Sequence, residues 1–216
     1  DPNAPEEDPY RSTELRLISN SESWFKWIVG GFYLNHQDRI NHFKFQGTAF
    51  GYPYPTSPGY IDVISRMRTK SYSGFGQVTA QVLPQTNITA GIRYTHDERE
   101  IFAGGQVRDG SGMLGPMLTA PNSPRSDSWS KLTMRLSIDQ KVTDDIMVYA
   151  AYNTGFRSGT FNPLVFPPGV ASIADPVKPE TIKAYTAGFK SELFDRHLRL
   201  NVEAFSYTYS NLVLNQ

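Results

Sequence analysis

Apolar residues recur at every second position along most of this chain. In Asn87–Ile101, residues Ile88, Ala90, Ile92 and Tyr94 fall on one side, and Thr89, Gly91, Arg93, Thr95, Asp97 and Arg99 on the other. Period two over such a length predicts a β-strand with one apolar and one polar face. Ser128–Val142 repeats the pattern, with Leu132, Met134, Leu136 and Ile138 set against Lys131, Thr133, Arg135, Ser137 and Asp139. Ile146–Phe156 carries Ile146, Val148, Ala150 and Tyr152 on its apolar side, and its other side is less polar. Leu198–Tyr209 sets Leu198, Leu200, Val202 and Ala204 against Arg199, Asn201 and Glu203.

Four further strands complete the reading. Thr13–Ser19 has Leu15 and Leu17 on one face. Trp24–Arg39 leaves its faces open, because Trp27, Val29 and Tyr33 compete with Ile28, Phe32 and Leu34. Ser71–Leu83 puts Val78, Ala80 and Val82 opposite Gln77, Thr79 and Gln81, and Thr181–Leu193 puts Tyr185, Ala187 and Phe189 opposite Thr186, Gly188, Lys190 and Glu192. Tight polar turns at Asn20–Ser23, Pro84–Thr86, Thr143–Asp145 and Phe194–Arg196 alternate with long Gly/Pro loops at 41–70, 103–127 and 157–180. The first loop is open to a short helix near Tyr60–Met67.

Such strands match walls that face hydrocarbon on one side. Every backbone polar group in a bilayer must pair with a neighbouring strand, and about 9–11 tilted residues cross it. Arg93, Arg135 and Arg199 all fall on the polar face, as a lipid-spanning wall requires. Tyr94, Tyr152, Phe156, Tyr185 and Phe189 lie near strand ends, where an interfacial aromatic belt belongs. The fold class is therefore all-β, a transmembrane antiparallel β-barrel wall with eight strands present. Bacterial barrels have short periplasmic turns and long outer loops. On that rule the first, third, fifth and seventh strands run inward, and both chain ends lie outside. A water-soluble sandwich would show the same periodicity, but strict alternation of turns and loops favours the barrel.

Composition narrows the function. Lys+Arg and Asp+Glu number 21 each, so no charge excess points to nucleic acid. Hydrophobic content is 39% and the apolar run Trp27–Leu34 is far too short for a spanning helix. Without cysteine there is no disulfide framework or thiol nucleophile. No zinc-hydrolase, nucleophile-elbow or phosphate-loop motif occurs, so no enzyme is indicated. His36, His42, His96 and His197 are scattered, so no metal site and no cofactor is expected. The chain opens at Asp1 without a basic or apolar leader, which for an exported protein implies processing or a fragment.

Three segments in order resemble the barrel domain of TonB-dependent outer-membrane receptors. They are ITAGIRYTHDERE at Ile88–Glu100, SWSKLTMRLSIDQKVTDDIMVYAAYNTGFRSGTFNP at Ser128–Pro163, and PETIKAYTAGFKSELFDRHLRLNVEAFSYTY at Pro179–Tyr209. The resemblance implies a 22-stranded barrel in the outer membrane of a Gram-negative bacterium, filled by an N-terminal plug. It also implies active uptake of a scarce organic solute or ferric siderophore, energised by TonB. Outer-membrane lipid, TonB and a small-molecule or iron-chelate cargo are then the expected partners. The plug, the TonB box and an aromatic-ended last strand find no match here. Residues 1–216 are accordingly read as part of the barrel domain. A soluble carbohydrate-binding module and a complete eight-stranded barrel are the alternatives.

Candidate ligand contacts are the loop aromatics Phe45, Phe50, Tyr52 and Tyr54, together with Arg157 and Asn162 of the GFRSGTFNP run. Loop self-packing for the aromatics, and loop-anchoring hydrogen bonds for Arg157 and Asn162, are the readings placed ahead of ligand contact. Arg93, Asp97, Arg99, Lys131, Arg135 and Asp139 form a candidate lumen-facing polar wall. Cross-strand charge pairing is their plain structural role.

Overall fold

Period-two patterning produces an antiparallel sheet with no helix among the described residues. The computed structural model describes residues 9–20, 23–46, 60–108, 113–165 and 171–212, with backbone alone at 40–46, 60 and 114. The strands are β1 (Tyr10–Ile18), β2 (Phe25–Gln46), β3 (Tyr60–Leu83), β4 (Thr86–Arg108), β5 (Leu114–Thr119), β6 (Arg125–Lys141), β7 (Ile146–Arg157), β8 (Glu180–Leu193) and β9 (Leu198–Ser210). They pair in the order β1-β2-β3-β4-β6-β7-β8-β9, with β5 attached to β4. Among the described residues β1 and β9 do not pair, so the eight-stranded closed barrel is not what forms; the strands make an open wall.

Register fixes the faces. One row across the wall runs Trp27, Val78, Ala90, Leu136, Tyr152 and Tyr185. The next runs Phe25, Ala80, Ile88, Ile138, Ala150, Ala187 and Ala204. Single-residue steps move to the opposite face, where Thr79, Thr89, Ser137 and Thr186 share a row. Register also resolves β2. Trp27, Val29 and Tyr33 join the apolar face, whereas Ile28 and Phe32 lie on the polar one. The apolar side chains stay uncovered, with Ile92 59% exposed and Leu136 53% exposed. A soluble protein rarely leaves a contiguous apolar face of this kind uncovered.

Three loop expectations are corrected. β2 and β3 continue as strands to Gln46 and from Tyr60, so much of 41–70 is strand. Tyr60–Met67 is strand, not helix, because Ile61, Val63, Ser65 and Met67 are all buried at period two. Within 103–127, β4 runs on to Arg108 and β5 pairs with its end, Gly104 facing Thr119 and Gly105 facing Leu118. The tight turns hold. In the β8–β9 turn Phe194, Asp195 and Arg196 are left-handed, with φ of 54°, 53° and 67°.

The buried apolar core lies at the long-loop rim, on the polar face of the wall. It consists of Met67, Ile101, Ala103, Ala120, Phe161, Val165 and Ile173, with Trp129 packed beside it. Met67 and Ile101 are register partners, and Trp129 pairs with Asp97, so all three share that face. Phe161, Val165 and Ile173 come from the β7–β8 loop. The loop therefore folds back over the polar side of β3, β4 and β6.

Candidate functional site

The polar face is built row by row. Nearest the short turns, Gln81, Asn87, Asp139, Tyr149, Gly188 and Glu203 share a row. Asn87 Nδ2 donates to Asp139 Oδ2 at 2.9 Å, and Tyr149 Oη donates to Glu203 Oε2 at 2.6 Å. Lys190 Nζ sits 5.6 Å from the Tyr149 ring centroid. Tyr149 crosses β8 to reach Glu203 because position 188 is glycine. A Cβ there would stand 2.7 Å from the Tyr149 hydroxyl and 2.5 Å from the Val202 carbonyl oxygen.

Three rows further out, Arg16, Gly30, Phe75, Arg93 and Thr133 line up. Arg93 lies between two rings, 5.4 Å from the Phe75 centroid and 5.6 Å from that of Phe32. Phe75 lies across Gly30, where a Cβ would be 2.5 Å from its ring edge. These contacts hold the guanidinium against the wall, each worth about 0.5–1 kcal/mol where exposed. Asp97 and Arg99 follow on the same strand face, and Asp97 Oδ1 and Arg99 Nε are buried without a hydrogen-bond partner among the described residues.

The six proposed wall residues thus share one face. Register does not place them all in direct charge pairs. Lys131 faces Thr95, Arg135 faces Gly91 and Asn153, and Asp139 faces Asn87 and Tyr149. Arg99 faces Asp127, a cross-strand pair of opposite charge by register, while Asp139 has its hydrogen bond to Asn87 and Arg93 its ring contacts.

The other candidates are only partly described. Phe50, Tyr52 and Tyr54 lie outside the described residues, and Phe45 lies where backbone alone is described. Arg157 closes β7, and its side chain is 74% exposed with Nη1 3.6 Å from Glu180 Oε2, its register partner. Asn162 Oδ1 accepts from the Leu164 backbone N–H at 3.0 Å, which shapes the loop locally. Both contacts are of the anchoring kind. No group of residues suited to a metal occurs among the described residues.

Two features escaped the sequence reading. Phe205, Tyr207 and Tyr209 continue the polar face of β9 as an aromatic ladder, the first two stacked at 4.9 Å. Strict alternation carried past Glu203 would have found them. The second is the latch on the β7–β8 loop. Phe161 is 1% exposed and meets Trp129 edge-on at 6.4 Å. Asn122 mimics a strand partner, accepting from Ile173 N–H at 2.6 Å and donating to its carbonyl at 2.9 Å. Arg125 donates to the same carbonyl at 3.0 Å and stacks 5.9 Å from Phe161. Its other partner, Asp175, has an exposed side chain, so that ion pair adds little. Arg125→Met should loosen residues 171–177 by about 1 kcal/mol. Hydrogen exchange there should rise several-fold while the strands stay protected.

The family model described as "TonB dependent receptor-like, beta-barrel" matches residues 5–216. No curated protein sequence matches the chain. Among solved structures, the ferric yersiniabactin uptake receptor FyuA from Yersinia pestis is similar over 92% of this chain at 18% identity, with a TM-score of 0.69. The copper transporter OprC is similar over 94% at 13% identity, with a TM-score of 0.49. The chain spans 28% of the FyuA chain and 40% of the OprC chain. With sided strands, an uncovered apolar face and a family match over nearly its whole length, the chain belongs to the TonB-dependent receptor-like β-barrel family.

Proposed function

We propose that this chain is a section of the barrel wall of an outer-membrane active-transport receptor, taking up a scarce organic solute or ferric siderophore with energy delivered through TonB. The β7–β8 loop carries this reading. It folds onto the polar face of the wall, burying Phe161 and Ile173 there, while the apolar face stays bare. A loop so placed overhangs the interior of a closed barrel. The polar face, with Arg93, Asp97, Arg99, Lys131, Arg135 and Asp139, then lines the lumen. Buried polar atoms on Asp97 and Arg99 are suited to water, to a plug domain or to passing solute. The likeness to FyuA supports the barrel architecture, and that protein's ferric cargo makes iron chelates the first class to try. Iron held by its chelator needs no protein ligands.

The test is uptake by cells making the complete receptor, with and without TonB, using a panel of radiolabelled ferric chelates. Accumulation of one chelate that requires both receptor and TonB is expected. Uptake that proceeds equally without TonB would reject energised transport and leave a passive pore.

A further inference from the structure

Two neighbouring strands part in the half of the wall nearest the long loops. β6 and β7 pair from Lys141 and Met147 as far as Arg135 and Asn153, and there the ladder stops. Neither strand ends at that point. β6 runs on to Arg125 against β4, and β7 runs on to Arg157 against β8. Carried on, the register would set Thr154 opposite Met134, Phe156 opposite Leu132 and Arg157 opposite Lys131. A side chain takes the first of these places. The Met134 N–H donates to Thr154 Oγ1 at 2.8 Å, where a ladder would offer it the Thr154 carbonyl. The same hydroxyl lies 3.5 Å from the Met134 carbonyl oxygen. Backbone direction alternates along a strand, so the N–H and C=O of Leu132 and of Phe156 also face this seam. No ladder pair joins them.

Backbone groups left open within a sheet need a reason, and the β7–β8 loop supplies it. Arg157 is still paired with β8, yet Thr160 already donates through Oγ1 to Met67 Sδ on β3, at 3.5 Å. β3 lies three strand spacings from β7, about 14 Å. Three residues reach about 10 Å at most. The two side chains bridge the rest, so the link has little slack. Gly159 is pressed against Trp129, where a Cβ would lie 2.7 Å from the ring. Phe161 is enclosed beside the same ring. The packed loop thus draws the end of β7 across the polar face and off the edge of β6.

We infer that the β6–β7 seam is a joint with two arrangements. With the loop packed, the seam is open and Thr154 caps it. With the loop released, β7 swings back and the ladder extends through Leu132 and Phe156 to Lys131 and Arg157. The two exclude one another, because the end of β7 cannot both lean over the polar face and lie in the plane of the wall. Each is a discrete packing, as a two-state element requires. The joint sets how far the loop overhangs the polar face. It needs only these strands and this loop, whatever the barrel carries.

Paired cysteines in the complete receptor test the joint, since this chain contributes no thiol of its own. Lys131→Cys with Arg157→Cys occupies a non-hydrogen-bonded pair of the extended ladder, where Cα atoms stand about 4.5 Å apart, within disulfide range. Ser137→Cys with Ala151→Cys, already in register, is the control. Under mild oxidation the control pair should close quickly in every background. The seam pair should close slowly, and at least about tenfold faster once Phe161→Ala frees the loop. Thr154→Val, which removes the cap of the open seam and leaves the loop untouched, should also speed it. Hydrogen exchange gives a second reading of opposite sign. In Phe161→Ala the amides of Leu132 and Phe156 should gain protection while those of 159–165 lose it. Seam closure at one rate in all three backgrounds would overturn the joint, as would amides at 132 and 156 that open together with the loop. Should Phe161→Ala disturb the barrel and the control pair fail to close, Thr154→Val decides alone.

Discussion

Phe161→Ala should release the β7–β8 loop from the wall. The ring is almost fully enclosed by Met67, Ile101, Trp129 and Ile173. Removing a ring so enclosed costs about 3–5 kcal/mol. Every 1.4 kcal/mol is tenfold, so local opening should become at least about a hundred times more frequent. Amide exchange at 158–165 and 171–177 should speed up accordingly, and a protease should cut there first. The strands should keep their protection, because their hydrogen bonds do not involve the loop. Phe161→Leu should show a much smaller effect. Unchanged exchange in the alanine variant would mean that the loop is held by Asn122 and Arg125 alone.

Ile92→Arg should block insertion of the barrel, and Ser137→Arg should not. Ile92 shares an apolar row with Val29, Gly76 and Met134. An arginine facing lipid near the midplane costs about 2–4 kcal/mol. Ser137 lies on the opposite face beside Thr89 and Ala151, one residue pair from Asp139. A charge there meets water and a carboxylate. In the complete receptor, the Ile92 variant should lose heat-modifiable migration and surface yield, and the Ser137 variant should retain both. The reverse result would exchange the two faces.

The sequence was most legible where chemistry alternated cleanly. Ile88, Ala90 and Ile92 against Thr89, Gly91 and Arg93 gave β4 its faces, and every register pair agrees. β2 stayed ambiguous because its polar face is itself partly apolar, Phe32 being there to meet Arg93. The strand extensions were hidden for another reason. Beyond Tyr72 on β3, Arg66, Arg68 and Lys70 follow on the same face, so polarity there resembles a loop. The alternation of Ile61, Val63 and Met67 was the available signal; all three are buried, and Met67 packs in the cluster with Phe161 and Ile173. The candidate site was legible as a face but not as a set of contacts. Phe161, Val165 and Ile173 follow no period, because loop packing imposes none. Asn122 was unreadable as a partner of Ile173, fifty-one positions away, since only the fold brings them together.

If the polar face lines a lumen, as proposed, the rings laid across Gly30 and Gly188 bear on its bore. A phenyl or phenol standing off the wall would take room from the opening. Phe75 and Tyr149 instead lie along the wall, each over a neighbour that has no side chain to lift it. Such a lumen would gain aromatic surface there without losing calibre. Enlarging either glycine would tilt its ring away from the sheet, so a substitution that merely strains the sheet elsewhere would here narrow the proposed lumen.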